Sequence, residues 1–109
     1  MITSGVKNLI LTTVVAKTID NINVLSVSNA SGEIFRKEPQ EVEALSPTEK
    51  KYTFYLTETE AIDTIAKFSL YGNGATSTLG TGLEMANQAV NITKTNTQSL
   101  LMIWNVKVV

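Results

Sequence analysis

Read for the spacing of apolar and polar positions, the chain divides into an ambiguous first half and a clearly alternating second half. In the second half, Tyr52, Phe54 and Leu56 fall on one face of a run, with Thr53, Tyr55 and Thr57 on the other. Ala66, Phe68 and Leu70 repeat the pattern against Lys67, Ser69 and Tyr71, as Val90 and Ile92 do against Asn91 and Thr93. Leu100, Met102, Trp104, Val106 and Val108 form an unbroken apolar file. A period of two is the signature of a pleated strand with one face buried, so these runs predict antiparallel strands.

The first half is less regular. From Ser4 to Ala16, the residues Val6, Leu9, Ile10, Leu11, Val14 and Val15 recur at spacings of about three and four, and Ser4 is placed to cap a first turn. That spacing predicts a short N-terminal helix over 4–16. The β-branched Thr12, Thr13, Val14 and Val15 argue against it and keep a strand as the alternative. Asn21 to Ser28 reads as a strand apolar on much of both faces, and Asn29 to Gly32 as a turn. Glu33 to Lys37 suits a short strand. The stretch 37–51, with Glu38, Glu41, Glu43, Glu49, Pro39 and Pro47, reads as an acidic loop or a tolerant edge.

A glycine-rich loop over 72–82 separates two of the predicted strands, with Gly72, Asn73, Gly74, Gly80 and Gly82 at its tip. Glu58 to Ile62 reads as a turn of helix or a wide connection, and Lys94 to Gln98 as a hairpin turn. With 109 residues there is room for one core. The expected fold is a single mainly β domain over 1–109, an antiparallel β-sandwich or partly closed barrel with a short N-terminal helix.

Composition narrows the chemistry. Charged residues make up 17% of the chain, against roughly 25% in an average soluble domain, so the surface relies on Thr, Ser and Asn. The net charge of −1 offers no footprint for nucleic acid. The N-terminal apolar run is too short for a bilayer and lacks the frame of a signal peptide, so no membrane role and no export are expected.

There is no histidine and no cysteine, which removes the usual nucleophilic triads and nearly all zinc sites. A carboxylate pair of the glycosidase type is the remaining catalytic option, drawn from Asp20, Glu33, Glu38, Glu41, Glu43, Glu49, Glu58, Glu60, Asp63 and Glu84, several of which cluster in the acidic stretch from Glu38 to Glu49. A domain this small offers little room for a water-excluding cleft, and the expectation is no enzyme and no cofactor. The glycine loop lacks the Lys-Ser/Thr of a phosphate loop and the spacing of a dinucleotide fingerprint, and its glycines read as turn formers. No calcium-loop spacing occurs, so no metal is expected. The acceptor patterns at Asn29 and Asn91 carry no weight without a secretory signal. Trp104 belongs to the inward file. Leu101 and Ile103 point to the opposite face and, with Tyr71, are the candidate interface residues.

Two passages together resemble small virion proteins of tailed bacteriophages. One is Met1 to Ile10 followed by the strand from Ile22 to Ser28; the other runs from Ile65 to Ala75, through Leu79-Gly-Thr-Gly82, to the ending from Ile92 to Val108. The resemblance implies a non-enzymatic structural subunit of the tail, baseplate or fibre apparatus, assembled in the host cytoplasm into the virion. Its partners would be copies of itself and other virion proteins, held by sheet edges, hydroxyl-rich surfaces and projecting loops. Two alternatives stand beside it: a carbohydrate-binding module recognising a host glycan through Tyr52, Tyr55, Tyr71 or Trp104, and a capsid decoration or head-fibre protein.

Overall fold

The computed structural model describes residues 6–15 and 22–107, with the backbone alone described over 6–15. Eight strands occur among them: β1 (Val6–Val15), β2 (Ile22–Asn29), β3 (Gly32–Lys37), β4 (Glu41–Ser46), β5 (Glu49–Leu56), β6 (Thr64–Gly72), β7 (Leu83–Thr93) and β8 (Ser99–Lys107). They form two four-stranded sheets, of order β1-β8-β5-β4 and β3-β2-β6-β7, called here the first and second sheet. Every pairing is antiparallel except β1 with β8, which run parallel.

One apolar core lies between the sheets. Tyr52, Phe54 and Leu56 of β5 and Leu100, Met102, Trp104 and Val106 of β8 meet Leu25 and Val27 of β2 and Ile65, Phe68 and Leu70 of β6. The arrangement is sandwich-like, and neither sheet closes into a barrel. On β5 and β8 the pleat sends every second side chain inward, and the alternation is directly visible as burial. On β6 it is not: Ile65 rather than Ala66 enters the core, a register shift follows, and Ser69 is buried between Phe68 and Leu70. Tyr52 and Phe54 stack with ring centroids 6.3 Å apart and planes 9° from parallel.

Three stretches depart from simple alternation. Val6–Val15, within the stretch expected as a helix over 4–16, is strand β1, in register with β8 from Val6↔Ser99 to Val15↔Lys107; residues 4, 5 and 16 lie outside the described residues. A run ending Thr-Thr-Val-Val loses side-chain freedom in a helix and suits a strand. The stretch 37–51, expected as an acidic loop or a tolerant edge, holds β4, a turn at 47–48 and the start of β5. Its acids mark an edge strand, exposed at all six positions. Finally, β7 begins at Leu83, well before Val90, and its pairing with β6 shifts register twice.

Candidate functional site

The densest polar cluster lies on the outer face of the second sheet. Small residues prepare it: Ser26 of β2 and Ser69 of β6 are paired neighbours and are buried although they face away from the core. Next to them on β3 a β-bulge intervenes, because Val27 pairs with Phe35 while Ser28 pairs with Glu33. Strict alternation would set residues three apart on opposite faces; the extra residue at Ile34 brings Glu33 and Arg36 to the same one.

Arg36 is the only arginine of the chain, and its side chain is fully buried. Its Nε donates to Glu33 Oε2 at 2.5 Å, and Nη2 to Glu33 Oε1 at 3.3 Å. Nη1 donates to Thr76 O at 3.0 Å, Thr81 O at 2.8 Å and Thr81 Oγ1 at 3.0 Å. The guanidinium carbon sits 4.4 Å from the centroid of the Tyr71 ring. Glu33 in turn accepts from Ser26 Oγ at 2.5 Å and from the Gly80 amide at 3.0 Å. Arg36 and Glu33 thus clamp the glycine-rich loop onto the sheet. Burial works to raise the Glu33 carboxyl, but hydrogen bonds from Arg36, Ser26 and Gly80 and the Arg36 charge outweigh it, holding the group below its ordinary value.

The glycines serve this docking. Asn73, Gly74, Gly80 and Gly82 have positive φ, a region open chiefly to glycine and asparagine. Gly82 also lacks room for a side chain: a Cβ there would overlap Ala75 Cβ and lie 2.5 Å from Gly72 O. Alongside, Glu84 of β7 accepts from Ser69 Oγ at 2.6 Å and pairs with Lys67 at 3.2 Å. Burial again opposes, and those partners again prevail, lowering the Glu84 pKa.

A second clamp closes the other end of β6. Lys94 is buried, and its Nζ donates to Thr57 O at 2.7 Å and to Glu58 O at 3.4 Å, while its backbone amide donates to Asp63 O. Burial lowers the pKa of this ammonium, against the opposing charges of Glu60 and Glu58. Glu60 accepts from the Thr57 amide at 2.8 Å and from Lys37 Nζ at 2.9 and 2.8 Å. Burial pushes Glu60 up, yet Lys37 and the Thr57 amide hold it below the ordinary carboxylate value. The connection over 57–63 is pinned as firmly as the glycine loop.

The expected site residues separate into two groups. Tyr71 and the loop tip Asn73, Gly74, Gly80 and Gly82 come together through Arg36, with Gly72 buried at the end of β6. Leu101 and Ile103 lie on the other sheet, half-buried on the outer face of β8 and paired with Tyr55 and Thr53 of β5. The Tyr71 ring is half-buried and roofed by Arg36, and Tyr52 and Trp104 are buried in the core. Three of the four aromatic faces that a glycan would stack on are therefore occupied.

Arg36 and Lys94 had no counterpart in the sequence reading. The one available signal was the chain's single arginine beside an acid on a β-prone run. A shallow depression of about 200 Å³ is lined by Asn29, Asp63 and Asn91 among others. Two of these side chains are engaged with each other: Asn29 Nδ2 donates to Asp63 Oδ2 at 3.1 Å, and Asn29 Oδ1 accepts from the Ser31 and Gly32 amides. No cluster of three potential metal ligands occurs among the described residues. Compared with protein-family models, curated proteins and solved structures, the chain gives no match in any of the three.

Proposed function

We propose that this chain is a non-enzymatic structural subunit of a tailed-bacteriophage virion, in the tail, baseplate or fibre apparatus, acting through protein–protein contacts. The observation that carries the reading is what the surface offers once the clamps are counted. The buried cations and their carboxylates are spent on holding loops to sheets. Among the side chains that face outward, Val42, Leu45, Ile62, Leu79 and Leu83 are large, exposed and apolar, and Leu101 and Ile103 lie half-buried on an outer sheet face. Large apolar side chains left on strand edges and loop tips are available to be buried against neighbouring subunits. The kind of assembly comes from the sequence resemblance.

The test is to purify particles produced from the genome that encodes the chain, and to search them by mass spectrometry and electron microscopy. The chain is expected at a fixed stoichiometry in a tail-associated ring or fibre base. Abundant protein in lysed cells with none in purified particles would overturn the reading.

A further inference from the structure

Three edge strands have described side chains, and they differ in how readily another strand could add to them. β3 carries Glu33, Arg36 and Lys37, and its outer face holds the loop that Arg36 and Glu33 clamp. β4 is exposed throughout but carries Glu41 and Glu43. Antiparallel pairing of two copies about a two-fold axis joins residues of equal parity, so a register centred on Glu41, Val42 or Glu43 sets a carboxylate directly opposite one of the partner's. Charge on an exposed edge is a device that discourages pairing.

β7 is different. It is the longest strand, with eleven residues, and Met85–Thr93 contains no charged side chain. Asn87, Gln88 and Ala89 are exposed. They lie in a regular ladder, from Ala86↔Leu70 to Ala89↔Lys67, bracketed by the two register shifts. The one acid of the strand, Glu84, is at its end and already held by Lys67 and Ser69.

We infer that β7 is the self-association edge of this chain: a second copy adds its own β7, antiparallel, about a two-fold axis near Gln88, making the two second sheets continuous. The inference rests on the assembly reading above and assigns it a surface. In that register Gln88 faces the partner's Gln88, and Asn87 faces the partner's Ala89. A carboxamide is both donor and acceptor, so identical glutamines across the axis can satisfy each other. No like charges meet. The Gln88 amide at present donates only to Ala89 O, at 3.2 Å on the exposed surface, a bond that inter-strand pairing can replace at no cost in donors.

The regular run spans four residues, about 14 Å of edge, which is small beside the roughly 1,000 Å² that a stable interface buries. Association of the isolated protein is therefore weak, and it gains strength when copies are held together in a particle.

Sedimentation equilibrium over a wide concentration range tests this, with amide hydrogen exchange read residue by residue. The apparent mass is expected to climb with concentration from one chain toward two, with new protection confined to Ala86–Val90. Gln88→Lys sets like charges across the axis and abolishes the rise, while Gln88→Ser keeps it; matching thermal midpoints show both variants folded. A rise that Gln88→Lys leaves intact, or protection elsewhere, overturns the β7 edge and leaves the assembly reading standing. A protein monomeric at every concentration also overturns the β7 edge, and particle composition then decides the wider reading separately.

Discussion

Replacing Arg36 by methionine tests the central clamp. The substitution keeps an apolar stem over Tyr71 and removes every guanidinium donor. A buried ion pair stripped of one partner loses about 3–5 kcal/mol, which sets the upper bound here. Two features reduce it: Glu33 keeps the Ser26 hydroxyl and the Gly80 amide as donors, and Thr76 is exposed and Thr81 only half-buried, so the carbonyls that Arg36 releases can turn to water. The expected loss is about 2–4 kcal/mol. For a chain of this size that lowers the melting temperature by roughly 10–15 °C, within a total stability of about 5–15 kcal/mol, so the variant folds. Urea and thermal denaturation followed by circular dichroism give the magnitude, and amide exchange over 73–82 shows whether the loop is released. Arg36→Lys retains charge without the planar fork and should fall between the two. Combining Arg36→Met with Glu33→Gln should show a coupling of at least about 1 kcal/mol. A loss below about 0.5 kcal/mol, with loop exchange unchanged, would refute the clamp and reduce the pair to an ordinary surface ion pair.

Three further outcomes follow from the same geometry. Gly82→Ala meets both a positive φ and occupied space at Ala75 and Gly72, so it should destabilise by about 2–4 kcal/mol, whereas Gly74→Ala has open space and should cost only about 1 kcal/mol. Glu33, Glu60 and Glu84 all have pKa values lowered in the folded state from the ordinary 4.5; the unfolded chain therefore binds more protons, and their stabilisation, full above that value, is lost as pH falls through the folded values. Urea midpoints should drop in acid, and less so in Glu33→Gln than in the parent; an equal drop in both would remove Glu33 from the account. Trp104, the single tryptophan, is fully buried, so its emission should be blue-shifted and weakly quenched by acrylamide until unfolding.

The strands whose one face meets the core were legible because burial imposes a contrast the sequence must obey: Tyr52, Phe54 and Leu56, or Leu100 through Val106, are buried at every second position. β7 hid most of its length because it is an edge. Asn87, Gln88 and Ala89 are exposed in succession, and two bulges shift the phase, so no alternation survives to be read. β4 hid for the same reason, having no buried face. Over 4–16 apolar residues are so frequent that several periods fit them, which is why the spacing fits a helix while the β-branched content fits a strand. Leu101 and Ile103 were rightly expected on the face opposite Trp104.

The clamps were illegible for a deeper reason, and that reason bears on what the domain is for. A strand's periodicity assumes one residue per step, and the bulge at Ile34 breaks that assumption to set Glu33 beside Arg36. Lys94 likewise is recognisable only once the connection over 57–63 has folded back to present Thr57 O and Glu58 O. Both cations act on connections at opposite ends of β6, the Arg36 clamp on the segment after Gly72 and the Lys94 clamp on the segment before Thr64. A mobile loop can close on a ligand, but a loop whose carbonyls are held by a buried cation must first give up those bonds to move. Pinning both ends therefore fixes the shape of the connections in advance, which lowers the ordering cost of docking against a rigid neighbour. On the proposed assembly reading the domain offers its fixed faces and its edges, and among the described edges only β7 lacks both a clamped loop and a file of charge.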